Sequence, residues 1–376
     1  MSSPNQRVGR RRKKTQKRRV VFFALFLPLL LVLFTGMGYG AFLHKKAETV
    51  LSESYMNDGR EKSDLRDAEV HPLEDNVSIL FMGIDDNVNR DYGDNTRTDA
   101  LVLATLNIED KTIKMVSIPR DSYAYIPAEG HNNKINHAHA VGGPTATIEA
   151  VEELLDVPVD YYVRMNFYAF VDVVDALDGI KFDVPFEITE KNSDDKHNAV
   201  HLEPGMQTLD GQEALALART RKYDSDIERG KRQQEVLQAI AKKALSLNSL
   251  TKYDEMLEAV GSNMRTDMTF SEMKSFIEYG KNDDVLNFDT MTLAGSDDFL
   301  DSGAYVYRLD EIELEAVKGK LQRHLGIEAS SDTDEEDTDS EYEENSTEDD
   351  ESGYEESYTE DESFSSDEES YSTDEE

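Results

Sequence analysis

Residues 219 to 233 read Arg-Thr-Arg-Lys-Tyr-Asp-Ser-Asp-Ile-Glu-Arg-Gly-Lys-Arg-Gln, six basic side chains within fifteen residues of a 376-residue chain whose formal net charge is -39. Scattered lysines keep an acidic protein soluble, but guanidinium groups gathered in one segment repel one another, and a phosphate-bearing ligand relieves that repulsion. The competing explanation is a solvated helix face on which these cations pair with Asp224, Asp226 and Glu228.

Phase narrows the choice. In a helix Arg219 and Arg221 would splay about 200° apart, whereas in an extended segment residues two apart share a face. For both to meet one ligand, a helix must end near Arg219. Farther on, Arg229 and Gln233 are in phase with Val236, Leu237, Ile240 and Ala244, the apolar stripe of a long helix, so they point inwards. An inward arginine needs an anion, and the first turn of a helix attracts one. A ligand phosphate or the carboxylate of Asp226 would serve.

Carboxylates supply the second half of a candidate site. Asp85 closes a first β-rich run, Asp99 opens a second, and Arg120 ends a third in Ser117-Ile-Pro-Arg-Asp121. The loop Asn107 to Lys111 has hairpin length, which makes the second and third strands antiparallel and returns Arg120 to the edge where Asp99 begins. If the first strand is antiparallel to the second, Asp85 reaches the same edge. Paired carboxylates there suit a hard divalent cation such as magnesium, which is commonly held by one or two carboxylates plus phosphate oxygens. Asp86, Asp91 and Asp94 dilute the signal, since loop aspartates also serve turns. His131, His137 and His139 cluster without a third zinc ligand and read as a polar loop near the site.

Short strands at Val77 to Ile84, Ala100 to Leu106 and Thr112 to Ile118 are followed by a helix from Thr145 to Leu155, a strand from Val159 to Met165, a helix from Phe167 to Leu177 and a strand from Ile180 to Val184. Asp210-Gly-Gln-Glu213 fits a capping box opening a helix through Ala218. A long helix is predicted from Ile227 to Leu247, with further helices near 251 to 260, 270 to 280 and 309 to 325. Glu203-Pro-Gly205 and Gly142-Gly-Pro144 read as turns. This mixture predicts an α/β fold, a central mixed β-sheet covered by helices on both faces, an αβα sandwich.

The ends are different in kind. Residues 1–19 hold nine Lys or Arg and no acid, and residues 328–376 hold 25 Asp or Glu and no base. Both have too little apolar surface to offset the entropy of ordering, so a basic arm and a disordered acidic tail are expected. Residues 20–43 form an uncharged stretch of 24 residues, long enough to cross a bilayer as a signal-anchor helix. A cleaved signal peptide is the alternative. The basic arm before it places the N-terminus in the cytoplasm and the rest of the chain outside the cell membrane, against anionic lipid and not nucleic acid. Residues 44–75 read as a stem, 76–248 as the core of the folded domain and 249–327 as its helical end. Cysteine is absent, which excludes disulfides, thiol catalysis and cysteine-bound zinc.

The ordered set Gly83-Ile-Asp85, Arg97-Thr-Asp99, Ser117-Ile-Pro-Arg-Asp121, Lys134-Ile-Asn-His137, Asp160-Tyr-Tyr162, Leu209-Asp-Gly-Gln-Glu-Ala-Leu215, Arg219-Thr-Arg221 and Arg229-Gly-Lys-Arg-Gln-Gln234 resembles the LytR-CpsA-Psr family of membrane-anchored cell-wall enzymes. The resemblance spans residues 76 to about 248. It implies transfer of a glycopolymer, of teichoic acid or capsule type, from a polyprenyl pyrophosphate carrier to peptidoglycan, typically at the 6-hydroxyl of N-acetylmuramic acid. It implies magnesium, with manganese as an alternative, at Asp85 and Asp99, and pyrophosphate contacts from Arg120, Arg219, Arg221, Arg229 and Gln233, with Asp226 in support. A hydrophobic groove for the lipid tail comes with it. A polyprenyl pyrophosphate phosphatase and a non-enzymatic regulator or scaffold of wall assembly are the alternatives.

Overall fold

In the computed structural model the described residues are 55–56, 59–60, 62–85, 96–221, 226–245, 263–269, 271–273, 275–276 and 287–327. The expected membrane segment, the basic arm, the acidic tail, the helix near 251 to 260 and the loop 86–95 lie outside them. Among the described residues no helix is long and apolar enough to cross a membrane.

The chain opens with β1 (Val77–Ile84), β2 (Thr98–Asn107) and β3 (Thr112–Ser117), followed by a small hairpin of β4 (Tyr123–Ile126) and β5 (His131–Lys134). Next come α1 (His137–Leu155), β6 (Tyr161–Asn166), α2 (Phe167–Ala176) and β7 (Ile180–Val184). An arm of β8 (Ile188–Glu190) and β9 (Val200–Leu202) precedes β10 (Gly205–Leu209), α3 (Gly211–Arg219) and α4 (Asp226–Ala244). The end supplies β11 (Met264–Thr266), β12 (Asn287–Thr292), β13 (Gly295–Phe299), β14 (Tyr305–Leu309) and α5 (Glu311–Leu325).

Six strands form a mixed sheet in the order β11-β6-β1-β2-β3-β12. β1 lies antiparallel to β2 and parallel to β6, and β2 lies antiparallel to β3. The β2–β3 turn is closed locally: Asn107 Oδ1 accepts from the amides of Glu109 and Asp110 at 3.0 and 2.9 Å, and Lys111 takes a left-handed φ of 52°. Strand alternation divides the core. Leu80, Met82, Leu101 and Leu103 pack with Ile148 and Val151 of α1 and Leu321 of α5, whereas Val77, Ile79, Val102 and Ala104 pack with Ala169 of α2 and Leu237 of α4. Each fully buried aliphatic side chain contributes roughly 1.5–3 kcal/mol by leaving water.

A third cluster joins β7 and β10 to α2, α3 and α4 through Val174, Ile180, Leu209, Leu217 and Val236. The Asp210–Glu213 capping box is present, with both reciprocal hydrogen bonds made. Two glycines set the spacing of these helices. A Cβ on Gly211 would lie 2.3 Å from the Val171 carbonyl oxygen, and one on Gly230 would lie 2.4 Å from Ser117 Oγ and 3.1 Å from Ser117 Cβ. Gly230 thus lets α4 settle on the end of β3.

Several expectations change. α1 begins at His137, eight residues before Thr145, and its dihedrals break at Gly142 and Gly143, so Gly142-Gly-Pro144 is a kink after a single helical turn and Pro144 restarts the helix. β3 ends at Ser117, leaving Arg120 in the turn beyond it, because Pro119 has no amide to donate. Within 249–327 the described residues hold strands as well as the helix expected near 309 to 325, which is α5: β11 and β12 form the two edges of the sheet and β13 pairs with β14. Part of the stem is docked, too. Arg66 grips Asp160 at 2.7 Å and donates to the Asn76 carbonyl at 3.0 Å.

Candidate active site

One cavity of about 430 Å³ opens between the ends of β1 and β2, α2, α3 and α4. Asp85, Asp99, Arg120, Arg219, Arg221, Arg229 and Gln233 all line it, although they come from five separate stretches of chain. The register explains the acidic edge. Gly83 pairs with Ala100 and Ile84 with Thr98, so Asp99 is the extra residue of a bulge and Asp85 follows the last pair at the same antiparallel end. Arg120 Nη1 donates to Asp99 Oδ1 at 2.5 Å, and its Nε donates to Asp121 Oδ2 at 3.3 Å.

Asp121 holds this corner. Its other oxygen meets Lys134 Nζ at 2.9 Å. Burial alone would raise its carboxyl, but the hydrogen bonds and charges of Lys134 and Arg120 outweigh burial and hold it below the usual carboxylate range. It is therefore an ionised anchor for two cations and a weak proton acceptor.

The basic segment resolves into separate duties. α3 ends at Arg219, with Thr220 in an extended conformation at φ -58° and ψ 138°, which brings both Arg219 and Arg221 to the cavity. Arg219 lies over the Phe167 ring at 4.3 Å and faces Asp195 at 3.6 Å. Arg229 is 5% exposed and reaches the cavity from the first turn of α4, one turn before Gln233, which donates to the Ala218 carbonyl at 3.3 Å. Arg232 does something else: it donates to the carbonyls of Leu217 and Thr220 at 3.2 and 2.7 Å, closing the C-terminus of α3. Lys231 pairs with Glu228 on the exposed face, as a solvated helix would. The Asp226 side chain and Lys222 lie outside the described residues.

Sequence patterns overlooked two groups of contributors, a polar arm and an apolar wall. Glu190 and Lys191 line the cavity from the β8–β9 arm, and Lys191 Nζ donates to Asp195 Oδ1 at 2.5 Å, so Asp195 ties the arm to Arg219. Phe167 and Phe170, one helical turn apart on α2, form the apolar wall with Phe81, Met165 and Leu237. Their spacing was the available signal. The arm carried none, since polar loop residues of that kind are common. The histidines serve local structure: His139 Nδ1 lies 2.6 Å from the Thr96 carbonyl, and His137 Nδ1 3.0 Å from Asn133 Nδ2.

Two oxygen-donor carboxylates on one cavity edge fit a hard cation whose remaining ligands are phosphate oxygens and water. Among the described residues no group of three or more metal-binding side chains occurs, so such an ion would depend on its ligand.

This cavity has an arginine-and-carboxylate mouth and an apolar wall. The family model for the LytR_cpsA_psr family matches residues 41–323. The chain belongs to the LytR-CpsA-Psr family. Among its LytR-CpsA-Psr relatives, the polyisoprenyl-teichoic acid–peptidoglycan teichoic acid transferase TagT of Bacillus subtilis is 39% identical over 325 residues, covering 86% of this chain and 99% of the relative. A structure of TagT bound to LIIa-WTA superposes with a TM-score of 0.62 at 40% identity, covering 71% of this chain and 97% of the other. TagT with bound octaprenyl pyrophosphate lipid gives a TM-score of 0.58 at 37% identity, over 71% and 98%.

Proposed function

We propose that this LytR-CpsA-Psr protein transfers a teichoic acid-type glycopolymer from a polyprenyl pyrophosphate carrier to peptidoglycan. The carrying observation is the meeting of Arg120, Arg219, Arg221, Arg229 and Gln233 with Asp85 and Asp99 at one mouth of a cavity whose wall is aromatic and aliphatic. Charge at the mouth suits a diphosphate, and the wall suits a prenyl chain. The transferase names of relatives and the lipid pyrophosphate bound to TagT support the reading.

In the reaction an acceptor hydroxyl oxygen attacks the glycan-bearing phosphorus, the bridging P–O bond to the polyprenyl phosphate breaks, and the hydroxyl proton is lost to base. Phosphoryl transfer asks mainly for alignment and charge neutralisation. Arg219 and Arg221 stabilise the equatorial oxygens, Arg120 is held at the acidic edge by Asp99 and Asp121, and buried Arg229 meets the diphosphate at the start of α4. Asp226 stands near that helix start in support. Asp85 and Asp99 would hold magnesium, which when bound supplies charge neutralisation of the diphosphate. An uncharged helix at residues 20–43 would anchor the domain outside the cell membrane, where carrier and acceptor meet.

Full-length protein in detergent, given a lipid-linked glycan with and without peptidoglycan fragments, tests this. Glycan attached to the fragment is expected. Release of glycan phosphate regardless of the fragment would make it a phosphatase, and no turnover with wild-type wall assembly retained in Arg221→Ala cells would make it a scaffold.

A further inference from the structure

The face beside Arg120 is aromatic. On the β13–β14 hairpin Phe299 is 67% exposed, and its ring stands 5.7 Å from that of its cross-strand partner Tyr305 at an interplanar angle of 66°. Tyr305 Oη donates to Asp297 Oδ1 at 2.8 Å. Lys134 Nζ lies 5.4 Å from the Tyr305 ring centre and is the same ammonium that binds Asp121. The backbone is continuous with the site as well, since the Tyr307 amide donates to the Asp121 carbonyl at 2.9 Å. Tyr305, Lys134, Asp121, Arg120 and Asp99 thus form one chain of contacts running from a half-buried ring beneath exposed Phe299 to the cavity mouth. Arg308, paired with Asp298, extends the polar rim.

Resting on the transferase reading, we infer that this hairpin is the platform on which the peptidoglycan glycan strand lies while its hydroxyl reaches the phosphorus. A sugar ring has an apolar C–H face and a rim of hydroxyls, and it matches the exposed Phe299 ring, backed by half-buried Tyr305 and bordered by carboxylates and a guanidinium. A lipid surface matches less well. Asp297 meets Tyr305, and Asp298, Asp301 and Glu311 are exposed or part-exposed carboxylates on or next to the hairpin, which together repel anionic headgroups. Tyr55, the described residue nearest the N-terminal segment, bridges to Thr266 of β11 at one edge of the sheet, whereas the hairpin follows β12 at the other. The acceptor therefore arrives on the side away from the stem, while the donor fills the cavity.

The full chain in detergent is assayed with a lipid-linked glycopolymer and peptide-free peptidoglycan strands. Phe299→Ala raises the acceptor KM about tenfold and leaves the donor KM and the kcat within about twofold, while Phe299→Tyr stays near wild type. The double change Phe299→Ala with Tyr305→Ala raises the acceptor KM further. An unchanged acceptor KM in the double variant, or an equal rise in donor KM, overturns the platform, as does loss of binding to anionic vesicles with acceptor KM unaltered. Should the wild type transfer nothing, calorimetry with the strands alone decides. Binding that weakens about tenfold in Phe299→Ala keeps the platform and rejects the transferase reading. Absent binding, or equal binding by the variant, overturns the platform.

Discussion

The two ends of the β2–β3 ribbon are both polar, yet they are finished in opposite ways. At the turn end, His324 of α5 is buried between Thr105 and Thr112, whose hydroxyls lie 2.7 and 2.8 Å from its two ring nitrogens, and Asn107 donates to its carbonyl at 2.9 Å. Burial pulls this imidazole down to about 4, and Lys114 adds to the effect against the opposing pull of Asp110 and Asp289. It is neutral, enclosed and satisfied. At the other end Asp99 and Arg120 form an ion pair that opens onto the cavity. Closure with neutral partners favours stability, whereas a cluster of arginines at an open mouth is disfavoured until an anion arrives. The contrast separates a joint that holds the fold from a site that waits for a ligand.

Breaking the open end should have the largest effect. Arg221→Ala should lower kcat/KM for transfer by roughly 10²–10³-fold with unfolding midpoints unchanged, measured by product formation and urea denaturation. Arg120→Lys keeps the charge but cannot span both Asp99 and Asp121, so activity should fall about 10–100-fold. At the closed end the sign reverses. His324→Ala should cost about 2–4 kcal/mol of stability by leaving two hydroxyls without a partner and a void behind them, with kcat retained at permissive temperature.

The same histidine sharpens the comparison through pH. Because its folded value lies below the ordinary 6.5, the unfolded chain takes up the proton first as pH falls. Its stabilisation is full above pH 6.5 and disappears between that value and about 4, a slope that His324→Ala should remove in urea titrations. The smallest effect is expected at the arm. Asp195→Asn, which loosens the ties to Arg219 and Lys191, should raise the donor KM about twofold to fivefold without changing stability.

How much could be read beforehand differs between these regions. Short β-rich runs placed β1, β2 and β3, the hairpin-length loop placed Asp99 beside Arg120, and helix phase turned Arg229 and Gln233 inwards. All are local rules acting over a few residues. In the stretch 249–327 the helix near 309 to 325 was legible and the strands were not: β12 contains Asn287, Asp289 and three threonines or methionines with mixed exposure, and it is a strand only because β3 offers a parallel edge. The roles of Arg232 and Lys191 were equally hidden. A cation beside two others carries no mark that it will close a helix end or lean on a distant arm.

The chain by itself determined the periodicities, the capping box and the location of charge, since each depends on neighbours within a turn or a strand pair. Only tertiary structure decided which arginines face one cavity, which carboxylates hold them, and that an aromatic hairpin from the end of the sequence stands beside the Arg120 turn. Those outcomes depend on packing between segments up to some 200 residues apart, as with Asp99 and the β13–β14 strands, and no local pattern encodes a partner at that distance.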